Sequence, residues 1–255
     1  MDSISDTADR TRLHPPLLEP ADDALFLDLD GTLLEIADHP AAVSASTDLR
    51  SLLRELCTRF DGACAIITGR TVADADAILQ GALGAIAGVH GAELKTPVAS
   101  TVQWSVAHEP VWAARADAFA LASRLNLLIE DKKASLALHY RHAPELAERV
   151  REAAADIAAT HGLRVMQGQL VVELLAGQRT KGDALDAFMR QPPFAGRRAI
   201  AVGDDVTDED AFKAAASFNG FGVLVGERRH SAARFALEDP SSVAAWLRAS
   251  LRGAA

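Results

Sequence analysis

Four short segments of the sequence carry side chains that could do chemistry, and each follows an apolar run or begins a helical pattern. They are Asp28-Leu29-Asp30-Gly31-Thr32, Thr68-Gly69-Arg70, Lys181-Gly182-Asp183 and Gly203-Asp204-Asp205. Carboxylates gathered in one crevice repel one another unless a cation neutralises them, and hard oxygen ligands favour magnesium. An aspartate can also attack phosphorus and form an aspartyl-phosphate that water then removes. These residue types therefore predict metal-assisted phosphoryl chemistry.

Each segment taken alone also has a structural explanation. Asp28 and Asp30 suit a polar turn after a strand, because short acidic pairs are common in turns. Thr68 could cap the helix that is predicted to begin near Val72. A lone lysine such as Lys181 is most often a surface residue, although at a helix start it could hold an anion together with free backbone N–H groups.

The segment after Asp205 has a pattern of its own. Residues 207–210, Thr-Asp-Glu-Asp, match a capping box with acids in the first helical turn. We therefore interpret Asp208, Glu209 and Asp210 as mainly structural. A calcium-binding loop beginning at Asp28 is excluded, because its glycine falls at the fourth position and His39 stands where the final glutamate belongs.

Short apolar runs alternate with helical patterns and would position these segments. The runs lack polar alternation, which is typical of parallel strands covered on both faces; they are residues 24–29, 63–67, 85–89, 199–202 and 221–225. Helical patterns lie between them, for example over residues 46–60 and 72–79. The alternation predicts an open α/β sheet, whose ligands bind at the carboxyl ends of the strands.

The middle of the chain interrupts this series. Pro110 predicts the start of a helix, an alternating strand follows, and Pro144 predicts the start of a second helix that ends at Gly162. A last strand covers residues 170–175. Because this set of elements could bury a small core of its own, we predict an inserted second domain.

The predicted division of the chain has three parts. Residues 1–20 form a flexible N-terminal tail, residues 21–100 and 177–255 form the α/β core, and residues 101–176 form the inserted domain.

Composition limits the partners and the location. The 255 residues carry 26 basic and 35 acidic side chains, a net charge of −9, which argues against non-specific binding to nucleic acid or to an anionic membrane. The cysteines are Cys57 and Cys64, too few for a disulfide framework, so we expect a reducing, cytoplasmic location. Residues 1–20 lack the basic start and apolar stretch of a signal peptide, and no apolar run is long enough to span a membrane.

Taken in order, the four segments resemble the four motifs of the haloacid dehalogenase superfamily. The resemblance implies that Asp28 is the nucleophile and Asp30 the general acid and base. It implies that Thr68 and Lys181 bind the phosphate. The implied Mg²⁺ ligands are Asp28, the backbone carbonyl of Asp30, and Asp204, with Asp205 supporting them.

Within that superfamily, the sequence from residue 22 to residue 247 is similar to the trehalose-6-phosphate phosphatase family. The segments that carry the similarity are residues 88–93, 130–132 with Ser135, 139–141, 172–174, 181–182 and 203–209. The resemblance implies a Rossmann-like core with a mobile α/β cap inserted after the third core strand, in agreement with the predicted insertion. It implies hydrolysis of trehalose 6-phosphate, the last step of trehalose biosynthesis.

The inserted domain holds three charged residues that suit a polar sugar. Glu130 and Lys132 would point the same way from an extended segment, and Glu173 lies in an apolar run where an unpaired carboxylate would be costly. The resemblance implies that all three bind the glucose unit remote from the phosphate. The alternative is a salt bridge of Lys132 with a glutamate inside the domain. In the core, Arg70 and His90 are candidate substrate contacts, and His90 could equally anchor its loop.

One departure from the family pattern leaves other hypotheses open. After Glu173 the family usually has a basic residue and a proline, whereas this chain has Leu174-Leu175-Ala176. A phosphatase for another disaccharide or glycosyl phosphate, such as sucrose phosphate or a glucosylglycerate phosphate, is the main alternative. A phosphomutase and a non-catalytic sugar-phosphate sensor are the others. The sequence contains no glycosyltransferase domain, so we expect any synthase to be a separate chain, and we expect a monomer.

Overall fold

The structure, a computed structural model, describes residues 13–36, 43–97, 101–168, 170–227 and 229–253. The chain divides into two compact units. The first comprises Met1–Gln103 and Thr180–Ala255, and the second comprises Trp104–Arg179. The inserted domain was predicted at residues 101–176, so the structure places both of its boundaries slightly later in the chain.

The described residues form twelve strands and seven α-helices. In chain order the strands are β1 (Asp23–Leu27), β2 (Cys64–Ile67), β3 (Ala85–Gly88), β4 (Glu93–Lys95), β5 (Gln103–Trp104), β6 (Leu128–Asp131), β7 (Ser135–His139), β8 (Arg164–Gly168), β9 (Val171–Leu175), β10 (Arg198–Gly203), β11 (Phe221–Val225) and β12 (Phe235–Leu237). The α-helices are α1 (Thr47–Arg59), α2 (Val72–Leu79), α3 (Glu109–Leu125), α4 (Ala147–His161), α5 (Lys181–Met189), α6 (Asp208–Ser217) and α7 (Pro240–Gly253). None of these helices, within the described ranges, is both long enough and apolar enough to cross a membrane.

The sheet of the first unit explains where the chemistry-bearing segments meet. Its strand order is β12-β11-β10-β1-β2-β3-β4-β5, and the strands from β12 to β3 are parallel. Strand β4 returns antiparallel to β3. Because β1 lies between β10 and β2, the segments that begin at Asp28, Thr68 and Asp204 leave the same edge of the sheet at neighbouring positions. The predicted α/β fold and the predicted parallel strands are confirmed.

An aromatic cluster fixes helix α5 against strand β1. The rings of Phe26 and Phe188 have centroids 6.2 Å apart, and Phe194 lies 5.5 Å from Phe26 and 5.2 Å from Phe188. All three side chains are buried. Such ring pairs add about 0.5–1.5 kcal/mol to the free energy of area burial. The cluster therefore holds together the two elements that carry Asp28 and Lys181.

Part of the predicted N-terminal tail is packed on the first unit. Residues 1–12 lie outside the described residues. Leu18 is buried and its backbone N–H donates to Ser250 Oγ at 3.1 Å, while Trp246 Nε1 donates to the carbonyl of Pro16 at 2.8 Å. Leu13 forms a β-bridge with Phe235. The segment from residue 13 to residue 20 therefore lies along α7 and β12.

The second unit has its own sheet and core. The sheet is antiparallel with the order β6-β7-β9-β8, and helices α3 and α4 pack against it. The side chains of Leu136, Leu138 and Tyr140, which alternate along the predicted strand of the inserted domain, lie in this core. A short 3₁₀ turn, Pro144–Leu146, precedes α4, which ends at Gly162 with φ +68°. Helix α3 begins beside Pro110, and α4 follows Pro144 and ends at Gly162, as the sequence predicted.

Candidate active site

Asp28 lies at the centre of the first unit's sheet, directly after β1. Its backbone N–H donates to the Val202 carbonyl at 2.9 Å, which continues the parallel pairing with β10. The residue is 6% exposed, and Lys181 Nζ donates to its Oδ1 at 2.7 Å. Burial raises the pKa of Asp28 well above the ordinary value, although Lys181 lowers it. Asp28 is thus a buried carboxylate held by one cation.

Lys181 is the first residue of α5, and the helix start is firmly built. Thr180 and Asp183 form a reciprocal capping box, with Thr180 Oγ1 accepting from the Asp183 backbone N–H. The Lys181 side chain is buried, and its ammonium also donates to Asp208 Oδ1 at 2.7 Å. Burial alone would lower the pKa of Lys181, but Asp208 and Asp28 raise it above the ordinary value. The lysine therefore stays charged inside the protein.

Three carboxylates converge around this lysine. Oxygen atoms of Asp28, Asp204 and Asp208 lie within 4.8 Å of one another. The hydroxyl of Thr32 donates to Asp204 Oδ1 at 3.2 Å and, more weakly, to Asp28 Oδ2 at 3.4 Å. Burial raises the pKa of Asp204 to about 6, and Asp208 raises it as well. The group is crowded with negative charge, which suits a divalent cation.

A glycine makes this crowding sterically possible. Gly31 has φ +80°, and a Cβ at that position would collide with the Asp204 carboxylate. The left-handed backbone and the close approach both require glycine. The Asp30-Gly31-Thr32 turn is therefore shaped to admit Asp204.

Asp208, which we had interpreted as mainly structural, belongs to the carboxylate group, whereas the structure does not bring Asp205 into it. Asp205 is exposed, and its Oδ1 accepts from the backbone N–H of Val206 at 2.6 Å. Asp208 is 2% exposed and its Oδ2 accepts from the Asp205 N–H at 3.1 Å. The predicted capping box is wrong: in the described chain Thr207 has helical φ and ψ angles and makes no capping side-chain hydrogen bond to α6.

Asp30 and Arg70 form a bidentate ion pair. Arg70 Nε donates to Asp30 Oδ2 at 2.6 Å and Nη2 donates to Oδ1 at 2.8 Å. The two residues follow neighbouring strands, β1 and β2. The side chain of Asp30 is therefore turned to Arg70 and is not part of the group formed by Asp28, Asp204 and Asp208.

Thr68 follows β2 and is fully buried. Its backbone N–H donates to the Ala87 carbonyl at 2.9 Å, and its Oγ1 accepts from the Arg70 N–H at 3.2 Å. It does not cap α2, because Thr71 does so through its bond from the Asp74 N–H at 3.1 Å. The structural explanation of Thr68 as a helix cap was therefore wrong. His90 is buried beside this loop with φ +54°.

Sequence reasoning also missed Arg229, whose side chain holds the loop that carries Asp204 by hydrogen bonds. Arg229 Nη2 donates to the backbone carbonyls of Asp204 and Asp205 at 3.2 and 2.7 Å, and Nη1 donates to Glu209. The other Glu209 oxygen accepts from the Ala232 N–H at 2.7 Å. Nothing in the local sequence pairs residue 229 with these carbonyls, because the contact exists only once β10 and β11 lie side by side.

In the second unit, Glu130 and Glu173 share one face of the sheet. Ala137 of β7 pairs with Glu130 on one side and with Glu173 on the other, so the three residues form a row across the strands. This face is opposite to the one that carries the apolar core. The hydrogen bond from His139, whose Nε2 lies 3.1 Å from Glu130 Oε2, lowers the pKa of Glu130.

The predicted alternative for Lys132 is present in the structure. Lys132 Nζ lies 3.3 Å from Glu173 Oε1, and the Ser135 hydroxyl donates to the same oxygen. Glu173 is 5% exposed, so these partners offset the cost of burying its charge. Lys132 and Glu173 therefore form a salt bridge within the unit.

The chain is similar to known proteins along most of its length. The sequence matches the protein family described as Trehalose-phosphatase over residues 26–241. A probable trehalose-phosphate phosphatase of Sinorhizobium fredii is 41% identical over 211 residues, which cover 80% of this chain and 77% of that protein. The trehalose-6-phosphate phosphatase of Escherichia coli is 36% identical over 214 residues, with the same two coverages of 80% and 77%.

Solved structures show the same fold. A crystal structure of a trehalose-6-phosphate phosphatase related protein superposes with a TM-score of 0.74 at 27% identity and covers 90% of this chain and 98% of its own. A haloacid dehalogenase-like hydrolase from Bacteroides thetaiotaomicron superposes with a TM-score of 0.66 at 16% identity, over 90% of this chain and 99% of its own, which supports the fold alone. The resemblance found in the sequence is thereby confirmed. The chain belongs to the trehalose-phosphatase family, whose members are phosphoric monoester hydrolases with the haloacid dehalogenase fold.

Proposed function

We propose that the chain is a magnesium-dependent phosphatase that hydrolyses trehalose 6-phosphate to trehalose and phosphate through an aspartyl-phosphate on Asp28. The observation that carries the proposal is the bond of Lys181 to Asp28 inside a buried group of carboxylates. The names of the relatives support the substrate. The geometry of the first unit supports the chemistry.

The donor set fits Mg²⁺. Asp28, Asp204 and Asp208 offer carboxylate oxygens within 4.8 Å of one another, and magnesium prefers a small number of hard oxygen ligands. The raised pKa values of Asp28 and Asp204 support the same conclusion, because burial leaves their charge undercompensated in the metal-free protein. The family resemblance adds the backbone carbonyl of Asp30 and a supporting role for Asp205. When bound, Mg²⁺ would polarise the phosphoryl oxygens and orient the ester.

The carboxylates of Asp28 and Asp30 have separate tasks in the proposed reaction. An oxygen of Asp28 forms a bond to phosphorus while the ester P–O bond breaks, and Asp30 delivers a proton to the leaving sugar oxygen. Water then attacks the phosphorus of the aspartyl-phosphate and gives a proton to Asp30. Phosphate leaves and the Asp28 carboxylate is restored.

Positive charge and hydrogen-bond donors would hold the phosphoryl group. Lys181 supplies a positive charge beside Asp28 in a site of low exposure, where it stabilises charge developing on the phosphoryl oxygens. Thr68 would donate its hydroxyl to the same group. Arg70 is bonded to Asp30 in the structure, so it would orient that side chain and would contact substrate only after exchanging this partner.

We propose that Glu130, Lys132 and Glu173 bind hydroxyl groups of the sugar. The row across the second unit's sheet supports this, because it keeps two carboxylates on a face away from the apolar core. The salt bridge of Lys132 with Glu173 is compatible with it, since an ammonium carries three donors and a carboxylate accepts several hydrogen bonds. The sequence after Glu173 lacks the basic residue and proline that the family usually has, which supports a related disaccharide or glycosyl phosphate as the second candidate substrate.

Phosphate release in the presence of Mg²⁺ tests the proposal. Trehalose 6-phosphate, glucose 6-phosphate and sucrose 6-phosphate are compared, with and without a chelator. We expect the trehalose ester to be preferred, the chelator to stop release, and Asp28→Asn to be inactive while the exposed control Asp48→Asn is unaffected. Turnover by Asp28→Asn would contradict the assignment of Asp28 as the nucleophile. Cleavage of an aryl phosphate without cleavage of the trehalose ester would contradict trehalose 6-phosphate as the substrate.

Three earlier expectations stay predictions. They are the monomeric state, the cytoplasmic location, and a synthase on a separate chain. Light scattering during size-exclusion chromatography measures the first, and a molar mass of twice the chain's would contradict it.

A further inference from the structure

The turn between β3 and β4 has a backbone conformation that its side chains disfavour. Val89, His90 and Gly91 have φ angles of +46°, +54° and +101°. A left-handed backbone is strained for residues other than glycine, and most of all for a β-branched residue such as valine. Val89 and His90 are 1% and 8% exposed, so the surrounding packing imposes the conformation. Strain of this kind is a reason to look for a function.

One side of the turn binds the loop that carries Thr68. The His90 N–H donates to the Thr68 carbonyl at 3.0 Å, and the Val89 N–H donates to the Arg70 carbonyl at 2.8 Å. The His90 ring covers Gly69, where an added Cβ would lie 2.8 Å from two ring atoms. The turn therefore fixes the backbone on both sides of Gly69.

The other side of the turn packs on the start of α5. A Cβ at Gly91 would lie 2.8 Å from the Thr180 carbonyl oxygen and 3.2 Å from the Cβ of Ala184. Thr180 is the capping residue of the helix whose first residue is Lys181. The same turn thus contacts the backbone next to Thr68 and the backbone next to Lys181.

We propose that residues 89–91 are a positioning element that sets the Thr68 loop against the start of α5, so that the Thr68 hydroxyl and the Lys181 ammonium meet one phosphoryl group. The strained backbone brings the His90 ring onto one segment and Gly91 onto the other, which a relaxed turn would not do. His90 is then a positioning residue and does not bind substrate. This inference rests on the proposed function, because that function makes Thr68 and Lys181 phosphate ligands.

A double-mutant cycle on Gly69 and His90 tests the proposal, with inorganic phosphate as the probe. Gly69→Ala pushes a methyl group against the His90 ring and should raise both the Kd for phosphate and the KM for trehalose 6-phosphate about ten-fold. Adding His90→Ala removes the collision, so the double variant should bind phosphate no more weakly than His90→Ala alone. Gly84→Ala is the matched control, because the atom nearest to its added Cβ is 3.7 Å away.

Two further measurements separate positioning from general damage. The Mg²⁺ concentration for half-maximal activity should stay at the wild-type value in Gly69→Ala, because the contacts of the turn given above are with the Thr68 loop and the start of α5. The Tm of Gly69→Ala should fall, because the added methyl group overpacks a buried site, and this fall should be relieved when His90→Ala is added. Gly91→Ala tests the other side and should also weaken phosphate binding. Additive effects of Gly69→Ala and His90→Ala, or normal phosphate binding by Gly69→Ala, would overturn the proposal. Wild-type protein that binds phosphate but does not cleave trehalose 6-phosphate would contradict the proposed function and leave the cycle interpretable.

Discussion

Replacing Lys181 by methionine tests whether one buried ammonium holds the carboxylate group together. The Lys181 side chain is 3% exposed and lies 2.7 Å from both Asp28 and Asp208. Methionine keeps an apolar stem of similar length and removes the charge. Asp28 and Asp208 then stay buried without their cation, and breaking a buried pair in this way costs about 3–5 kcal/mol of unfolding free energy.

The dependence of this loss on pH has a definite sign. Burial raises the pKa of Asp28 and Lys181 lowers it, so removing the lysine raises it further. A carboxyl group whose pKa is raised by folding binds its proton more tightly in the folded protein, and the resulting stability is lost as the pH rises through that pKa. The loss of stability caused by Lys181→Met should therefore be larger at about pH 8 than at about pH 5.

Chemical denaturation in a chelator measures the effect. Lys213→Met is the control, because its ammonium is 67% exposed beside Asp210 and should contribute less than about 0.5 kcal/mol. Phosphate release by Lys181→Met should fall about 10²–10³-fold, as expected for a lost group that stabilises transition-state charge. A destabilisation below about 1 kcal/mol at the higher pH, or an equal loss at both, would refute the reasoning about the buried charges.

Three other substitutions probe neighbouring parts of the site. Burial raises the pKa of Asp204 to about 6, so the stability that its protonation gives the metal-free protein is lost as the pH rises to that value. The Tm measured in chelator should fall over this pH range, and Asp204→Asn should flatten the dependence of Tm on pH. A wild-type Tm that does not change with pH over this range would contradict the raised pKa of Asp204. Arg70→Lys keeps the charge but loses the bidentate pair with Asp30, so kcat should fall about ten-fold while the Mg²⁺ requirement stays the same; a changed Mg²⁺ requirement would argue against a role through Asp30. Glu130→Gln should raise KM for trehalose 6-phosphate about ten-fold and leave hydrolysis of an aryl phosphate unchanged, and equal effects on both would exclude a role in sugar binding.

Elements whose local pattern agrees with their tertiary setting could be predicted from the sequence. Strand β2 is an uninterrupted apolar run because both of its faces are covered, and all of its residues are buried. Helix α5 begins at Lys181, where the sequence predicted it, because Thr180 and Asp183 supply a capping box. The common sheet edge from which the segments of Asp28, Thr68 and Asp204 leave followed from the rule that parallel strands end at one edge.

Other parts of the site depend on contacts that no local pattern contains. The residues around Asp208 resemble a capping box, and only the approach of α5 to α6 makes that carboxylate a partner of Lys181. The turn at Val89 and His90 could not be predicted, because these residue types disfavour the backbone that they adopt. Strand β12 was missed because it is short, Phe235–Leu237, and is held partly by a bridge to Leu13.

The packing of residues 13–20 along α7 brings the two ends of the described chain to the same place. A Cβ at Gly253 would lie 2.9 Å from Leu17 Cδ1, and Leu18 is bonded to Ser250. Joining ends that already lie close together costs little loop-closure entropy, so a short linker could connect them and new ends could be opened in a surface loop. The same proximity means that the chain enters the first unit at residue 13 and leaves it at residue 253 at neighbouring places, a geometry that suits circular permutation and insertion into a larger chain.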